Sequence, residues 1–183
     1  MKYFWAVTTL QKLAIILSVA LLWAGAFRLN AAMFNAFEYS QLANWIFLPA
    51  AIRILSVLLL GYTGALGLML GAYLTLLPSA PLLHNIFLAI SSGLAPLAAL
   101  WVCRRLFPIA PDLAGLRAWH VLMLSLANAA ANSIILNSYL ASVGRLQGQW
   151  VQIMTVFVGD VLGTALVLLL LSTLIAAFLP PRA

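Results

Sequence analysis

Arg53 and Asp160 are charges set inside apolar runs, NWIFLPAAIRILSVLLLG (44–61) and VFVGDVLGTALVLLLLSTL (156–174). A charge at the centre of a membrane helix costs about 2.5–3.5 kcal/mol on insertion scales, so it faces the protein interior and takes a partner. An arginine and an aspartate meeting there can pair in bidentate geometry. Breaking such a buried pair by removing one partner costs about 3–5 kcal/mol. Two roles are open to it: a lock between two helices, or the wall of a ligand site. In the second role Arg53 anchors an anionic or zwitterionic group and Asp160 is its resting counter-ion.

Depth links the two charges. At about 1.5 Å rise per residue, Arg53 lies about 16 Å along a helix that starts at Leu42, and Asp160 about 14 Å along one that starts at Val151. Asn132 falls about 12 Å below Leu140 on an oppositely directed helix, in the same layer, as an orienting hydrogen-bond partner. Asn128 shares its helix face and reads as an interhelical packing residue. Asn137 and Tyr139 lie nearer the outer end, where they would line an entrance, and Glu38, in the polar stretch 29–44, is a candidate gate residue.

Pro49 cannot donate to the carbonyl of Trp45, so a kink is expected just outside Arg53. Gly67 with Gly71, and Gly159 with Gly163, have the small-xxx-small spacing that lets helices approach closely, and read as internal packing. His84 and His120 stand far apart without a ligand-spaced partner, and both are expected at the membrane interface. One cysteine, Cys103, allows neither an intrachain disulfide nor a cysteine metal cage. No cofactor and no metal are expected. No serine or cysteine has an evident base at matching depth, and Asp160 has no buried acidic partner, so the chain does not read as an enzyme.

The elements that must position these residues follow from composition. Of 183 residues 66% are hydrophobic and 7% charged, against about 25% charged in soluble domains. An all-α transmembrane bundle of about six helices in a single integral membrane domain, 1–183, is expected, because each crossing takes about 20 apolar residues. The segments are Ala6 to Phe27, Leu42 to Leu60, Gly64 to Leu77, Ile86 to Val102, Ala118 to Leu140 and Val151 to Leu179. The third is short for a full crossing and is either tilted or part of a re-entrant hairpin. Pro111 and Asp112 read as a helix start.

Six spans place both termini on one side. With that side cytoplasmic, Lys2, Lys12, Arg104, Arg105, Arg117 and Arg182 are inside and Arg28 and Arg145 outside, as the positive-inside rule expects. The first helix reads as an uncleaved span. The net charge of +6 is scattered without aromatic interleaving, so the expected partner is the bilayer, with no nucleic acid.

The stretch FLPAAIRILSVLLLGYTGALGLMLGAYL (47–74) resembles the proline, small-residue, leucine-rich and glycine signature of bacterial membrane-associated sensor domains, the input modules of histidine kinases and diguanylate cyclases. VFVGDVLGTALVLLLLSTL is similar to their glycine-aspartate helix, with Gly159, Asp160 and Gly163 in the matching positions. The resemblance implies a bacterial inner-membrane protein in signal transduction, with Pro49, Arg53 and Asp160 in the sensory core. The family carries an output domain after the last helix, whereas this sequence stops at LPPRA (179–183), so a partner subunit is expected. Two other classes stay open. Six helices in about 180 residues also resembles the substrate-capturing subunits of energy-coupling-factor vitamin transporters, for which Ala20, Ala24 and Gly25 would supply a docking face. A non-catalytic accessory subunit of a larger membrane complex is the third.

Overall fold

The computed structural model of the chain describes residues 8–178 apart from 41, 77–79, 111, 147 and 149. The expected helix ends at Ala6, Leu77 and Leu179, with Lys2, Pro111 and Arg182, lie outside the described residues. Five long helices follow in order: α1 (Thr9–Phe34), α2 (Pro49–Thr75), α3 (Leu82–Leu106), α4 (Ala118–Ser142) and α5 (Trp150–Phe178). A 3₁₀ turn (Asn35–Phe37) and two short antiparallel strands, β1 (Glu38–Ser40) and β2 (Ala43–Asn44), join α1 to α2.

All five helices are long and apolar enough to cross a membrane. Leu10, Leu13, Leu17 and Leu21 on α1 are each more than half exposed. Such a surface suits lipid and not water, and the chain is a helical membrane protein.

Local chemistry sets the helix ends. Thr8 and Gln11 form a reciprocal capping box, with the Gln11 side chain accepting from the Thr8 N–H at 2.8 Å and the Thr8 hydroxyl from the Gln11 N–H at 3.3 Å. α1 runs one to two turns past the expected end at Phe27, since Arg28 to Phe34 contains no proline or glycine to stop it. α4 starts where His120 Nδ1 accepts from the Arg117 N–H at 3.0 Å. His120 is therefore a buried capping residue in the first turn of α4. Asp112 starts no helix; its carboxylate accepts from the Ala114 N–H in a turn that precedes α4.

The second and third expected segments are one element with a break. Gly61 inside α2 has φ 56° and ψ −131°, close to the first central position of a type II′ turn, which favours glycine. The chain doubles back there. Arg53 and Thr75 both touch Trp23, one through its guanidinium 5.1 Å from the ring and the other through a 3.1 Å hydrogen bond from the indole N–H. In a straight helix those two residues would stand about 33 Å apart. A Cβ on Gly64 would run into the Ser56 carbonyl, as it must where two arms meet at a tight bend. The arms, Pro49–Leu60 and Tyr62–Thr75, are about 18 and 21 Å long.

Packing then fixes directions. The second arm runs alongside α1, with Gly67 against Ile16 and Val19 and Gly71 against Ala20 and Trp23. Ala20, part of the stripe expected to dock a transporter partner, is thereby consumed inside the fold. α3 runs against that arm, with Gly93 facing Ala65 and Ser92 donating to the Leu68 carbonyl. His84 at the start of α3 meets Tyr139 near the end of α4, and Asn132 of α4 meets Asp160 of α5. The expected kink at Pro49 is absent. Proline sits at the first helical position, where its missing N–H costs nothing, and the chain before it is non-helical.

Alanine at Gly61 would hold a side chain at positive φ, and Gly61→Ala is expected to destabilise by about 1–3 kcal/mol. Gly25, an α1 residue with nothing within 4 Å of its missing Cβ, is the control: Gly25→Ala should leave the midpoint unchanged or raise it. Thermal unfolding of both variants in detergent checks the pair, and equal behaviour would refute the strained bend.

Candidate functional site

Arg53 stands one turn into α2, pointed inward by the proline start. Its Nη1 donates to both Asp160 oxygens, at 2.9 Å to Oδ2 and 3.2 Å to Oδ1. Asn132 Nδ2 donates to the same Oδ2 at 2.7 Å. All three residues are buried, Asp160 to 2% exposure. The layer inferred from helix rise is therefore present, although Arg53 reaches it by a different path. Residues 45–48 descend as non-helical chain, and only then does α2 begin.

The pairing differs from the bidentate fork expected. One nitrogen serves both carboxylate oxygens, while Arg53 Nε is buried with no acceptor among the described residues. The guanidinium sits against two adjoining rings, 5.1 Å from each of Trp23 and Phe47. Phe47 in turn meets Trp23 and Phe27 edge-on at 6.1 and 6.4 Å. Cation–π contacts in a desolvated setting contribute about 2 kcal/mol or more.

Gly159 and Gly163 do allow close approach, but by the chain before α2 and not by a helix. A Cβ on either would strike the carbonyl of Asn44 or of Phe47. The Phe47 N–H donates to the Gly159 carbonyl at 3.0 Å, and the Leu48 N–H to Asn30 Oδ1 at 2.8 Å. Asn30 is the clearest residue that the sequence reading missed. Trp23, Phe27 and Asn30 recur at i, i+4 and i+7, a one-face stripe visible once α1 is extended past Phe27.

A cavity of about 170 Å³ lies beside the ion pair, walled by α1, both arms of α2, α3, α4 and α5. Arg53, Asp160 and Asn132 line it together with Trp23, Phe27 and Phe47; Leu88, Leu136 and Val156 form an apolar stretch, and His84 and Arg145 lie toward the loops. His84 is thus a cavity residue whose Nδ1 is 2.9 Å from the Tyr139 hydroxyl. Tyr139 stacks on Phe87 at 3.9 Å, so it supports the mouth through His84. Asn137 does not reach the cavity; its amide donates back to Ser133 within α4. Glu38 is exposed on β1, outside the cavity lining. Asn128 is fully buried with both amide atoms unpartnered among the described residues, so the packing hydrogen bond expected of it is not made.

No protein-family model, curated protein or solved structure matches this chain.

A double-mutant cycle resolves how the charges depend on each other. Arg53→Met and Asp160→Leu alone should each destabilise by about 3–5 kcal/mol, with the double variant recovering much of that loss. Asn132→Ala removes one bond to a charged acceptor and should cost about 1.5–3 kcal/mol. Denaturation in mild detergent measures these, and strictly additive losses would show that the two charges are not coupled.

Proposed function

We propose that this chain is a non-catalytic, ligand-binding sensory domain of a bacterial inner membrane, working with a membrane-protein partner. The observation that supports this reading is the cavity. A buried Arg–Asp pair made only to lock α2 to α5 would be packed on all sides, whereas this one forms part of a cavity wall together with three aromatic rings and Asn132. In this reading Arg53 anchors ligand, Asp160 holds Arg53 in place and Asn132 orients Asp160; Glu38, exposed on β1, takes no part. Ordinary ligand pockets run to about 300–1,000 Å³, so a small ligand is implied. The resemblance of 47–74 and 156–174 to membrane-associated sensor domains belongs to the same proposal, since both stretches meet at the ion pair.

The proposed topology has both termini in the cytoplasm. Counting each arm of α2 as a pass gives six, and counting α2 as a re-entrant hairpin gives four spans; both parities agree. Lys12, Arg104, Arg105 and Arg117 then face the cytoplasm, and Arg28 and Arg145 face outward, in line with the positive-inside rule. Cysteines placed at Arg117 and at Arg145, each in a Cys103→Ser background, are expected to react with an impermeant label from opposite sides of the membrane. Labelling from one side would overturn the topology.

Ligand binding is tested by thermal stability of the purified chain against a panel of anionic metabolites and vitamins. At least one compound is expected to raise the midpoint of wild type and to lose its effect in a still-folded Arg53 variant. A wild type that no compound shifts, with a fully compensating Arg53/Asp160 double variant, would assign the pair to structure alone.

A further inference from the structure

We infer that the cavity takes a compact organic monoanion, a carboxylate on an apolar body of about benzene size, seated on the unused Nη2 of the Arg53 guanidinium. This rests on the ligand-binding reading above and specifies its chemistry.

A guanidinium offers five N–H groups in a rigid fork. Both bonds from Arg53 to Asp160 leave from Nη1. Among the described residues Nε has no acceptor and is closed off from the cavity, and Nη2 makes no hydrogen bond. Nη2 is thus the nitrogen left open on a residue that lines the cavity and is only 7% exposed, and it can donate to a carboxylate in a charge-assisted hydrogen bond. A buried charged donor left unmade is expensive, so an arriving carboxylate gains what the protein does not supply.

Charge balance points the same way. Asp160 is the single acid among the described lining residues, and it already accepts two bonds from Arg53 and one from Asn132. It neutralises Arg53. Arg145, which also lines the cavity, has no counter-ion there, so the lining carries a net positive charge before any ligand arrives. A cationic or zwitterionic ligand would have to place its ammonium beside Arg53 or strip donors from Asp160.

Arg145 is held in position by its backbone. Its N–H donates to the Leu140 carbonyl at 2.8 Å and the Gly144 N–H to the Ala141 carbonyl at 3.2 Å, with Gly144 at φ 67°. This is a Schellman end to α4, and it places the arginine at the cavity mouth. Incoming anions meet Arg145 first and Arg53 at depth.

Size and body complete the class. A cavity of about 150 Å³ accommodates benzene, and this one is about 170 Å³. Trp23 and Phe47 pack beside the guanidinium, and Leu88, Leu136 and Val156 supply apolar wall. An apolar body fits against these side chains while its carboxylate accepts from Arg53 Nη2.

The test uses three probes on the same phenyl ring, benzoate, its isostere benzamide, and benzylammonium, titrated against the full chain in nanodiscs at neutral pH. Benzoate is expected to bind at least tenfold more tightly than benzamide, with benzylammonium weakest. Arg145→Gln, at an exposed loop position, should lower benzoate affinity several-fold and leave benzamide unchanged. Arg53→Lys keeps a charge for Asp160 but has no second nitrogen to offer a ligand, and should abolish the preference of benzoate over benzamide. Equal binding of benzoate and benzamide, or tighter binding of benzylammonium, would overturn the anionic class while the cavity remains a ligand site. An Arg145→Gln protein with undiminished benzoate preference would likewise refute it. Failure of all three probes also overturns the inference on size and charge, and the ligand-binding reading is then judged separately by whether the metabolite panel shifts the wild type.

Discussion

A guanidinium cannot be left alone in an apolar bundle, and the way Arg53 is accommodated governs what surrounds it. Its charge needs Asp160 at the same depth, Asp160 needs Asn132 to take up a second acceptor position, and the flat cation needs the Trp23 and Phe47 rings. Those five residues come from α1, the chain before α2, α2, α4 and α5. One ionic contact therefore ties together elements that are distant in sequence. Desolvation is costly for both ions, and a buried pair recovers it only with added hydrogen bonds and good geometry.

The same accounting applies to backbone. Residues 45–48 descend without helical hydrogen bonds beside helices that are embedded in apolar surroundings. Non-helical chain at membrane depth is tolerated only when protein or a wet cavity satisfies it. Here the Trp45 N–H donates to the Phe37 carbonyl, Phe47 to the Gly159 carbonyl and Leu48 to Asn30 Oδ1. Gly159 and Gly163 lack the Cβ that would hold the chain away, so the spacing that often joins two helices instead seats this segment on α5. Proline at position 49 then restarts the helix without an orphaned donor.

Much of this site was readable because charge is so scarce in the sequence. With three acidic residues in the chain, the partner of Arg53 could be found by matching depth along idealised helices, and Asn132 followed from the same rise. The hairpin was less legible. Gly61-Tyr-Thr-Gly64 suits either a turn between two spans or a bend within one, and only the tertiary contacts of Trp23 with Arg53 and Thr75 decide between them. Asn30 was hidden because Arg28 looked like the end of a span, while the helix continued another turn to bring that amide under Leu48. Glu38 drew notice for its charge in a polar stretch, but it stands on an exposed strand of the loop before α2, outside the cavity lining. Arg145 had been read only as a topological charge, since a Schellman end that aims it at a cavity depends on where α4 stops.

The hairpin also explains why the cavity exists. Two arms of about 18 and 21 Å fill the part of the bundle nearest the Gly61 bend, where Ile54, Val57, Leu58, Ala65 and Leu68 join one core cluster. Toward the other end the arms give way to the chain at Phe47 and Leu76, and side chains from α1, α3, α4 and α5 must close the space instead. They do so incompletely, leaving a void beside Arg53. A straight α2 would have carried Thr75 far from Trp23 and removed the second arm from the cavity wall. The left-handed glycine and the buried ion pair are thus parts of one arrangement: the bend returns Ala72 and Thr75 to the depth of Arg53, and the space between them is the space in which a ligand would sit.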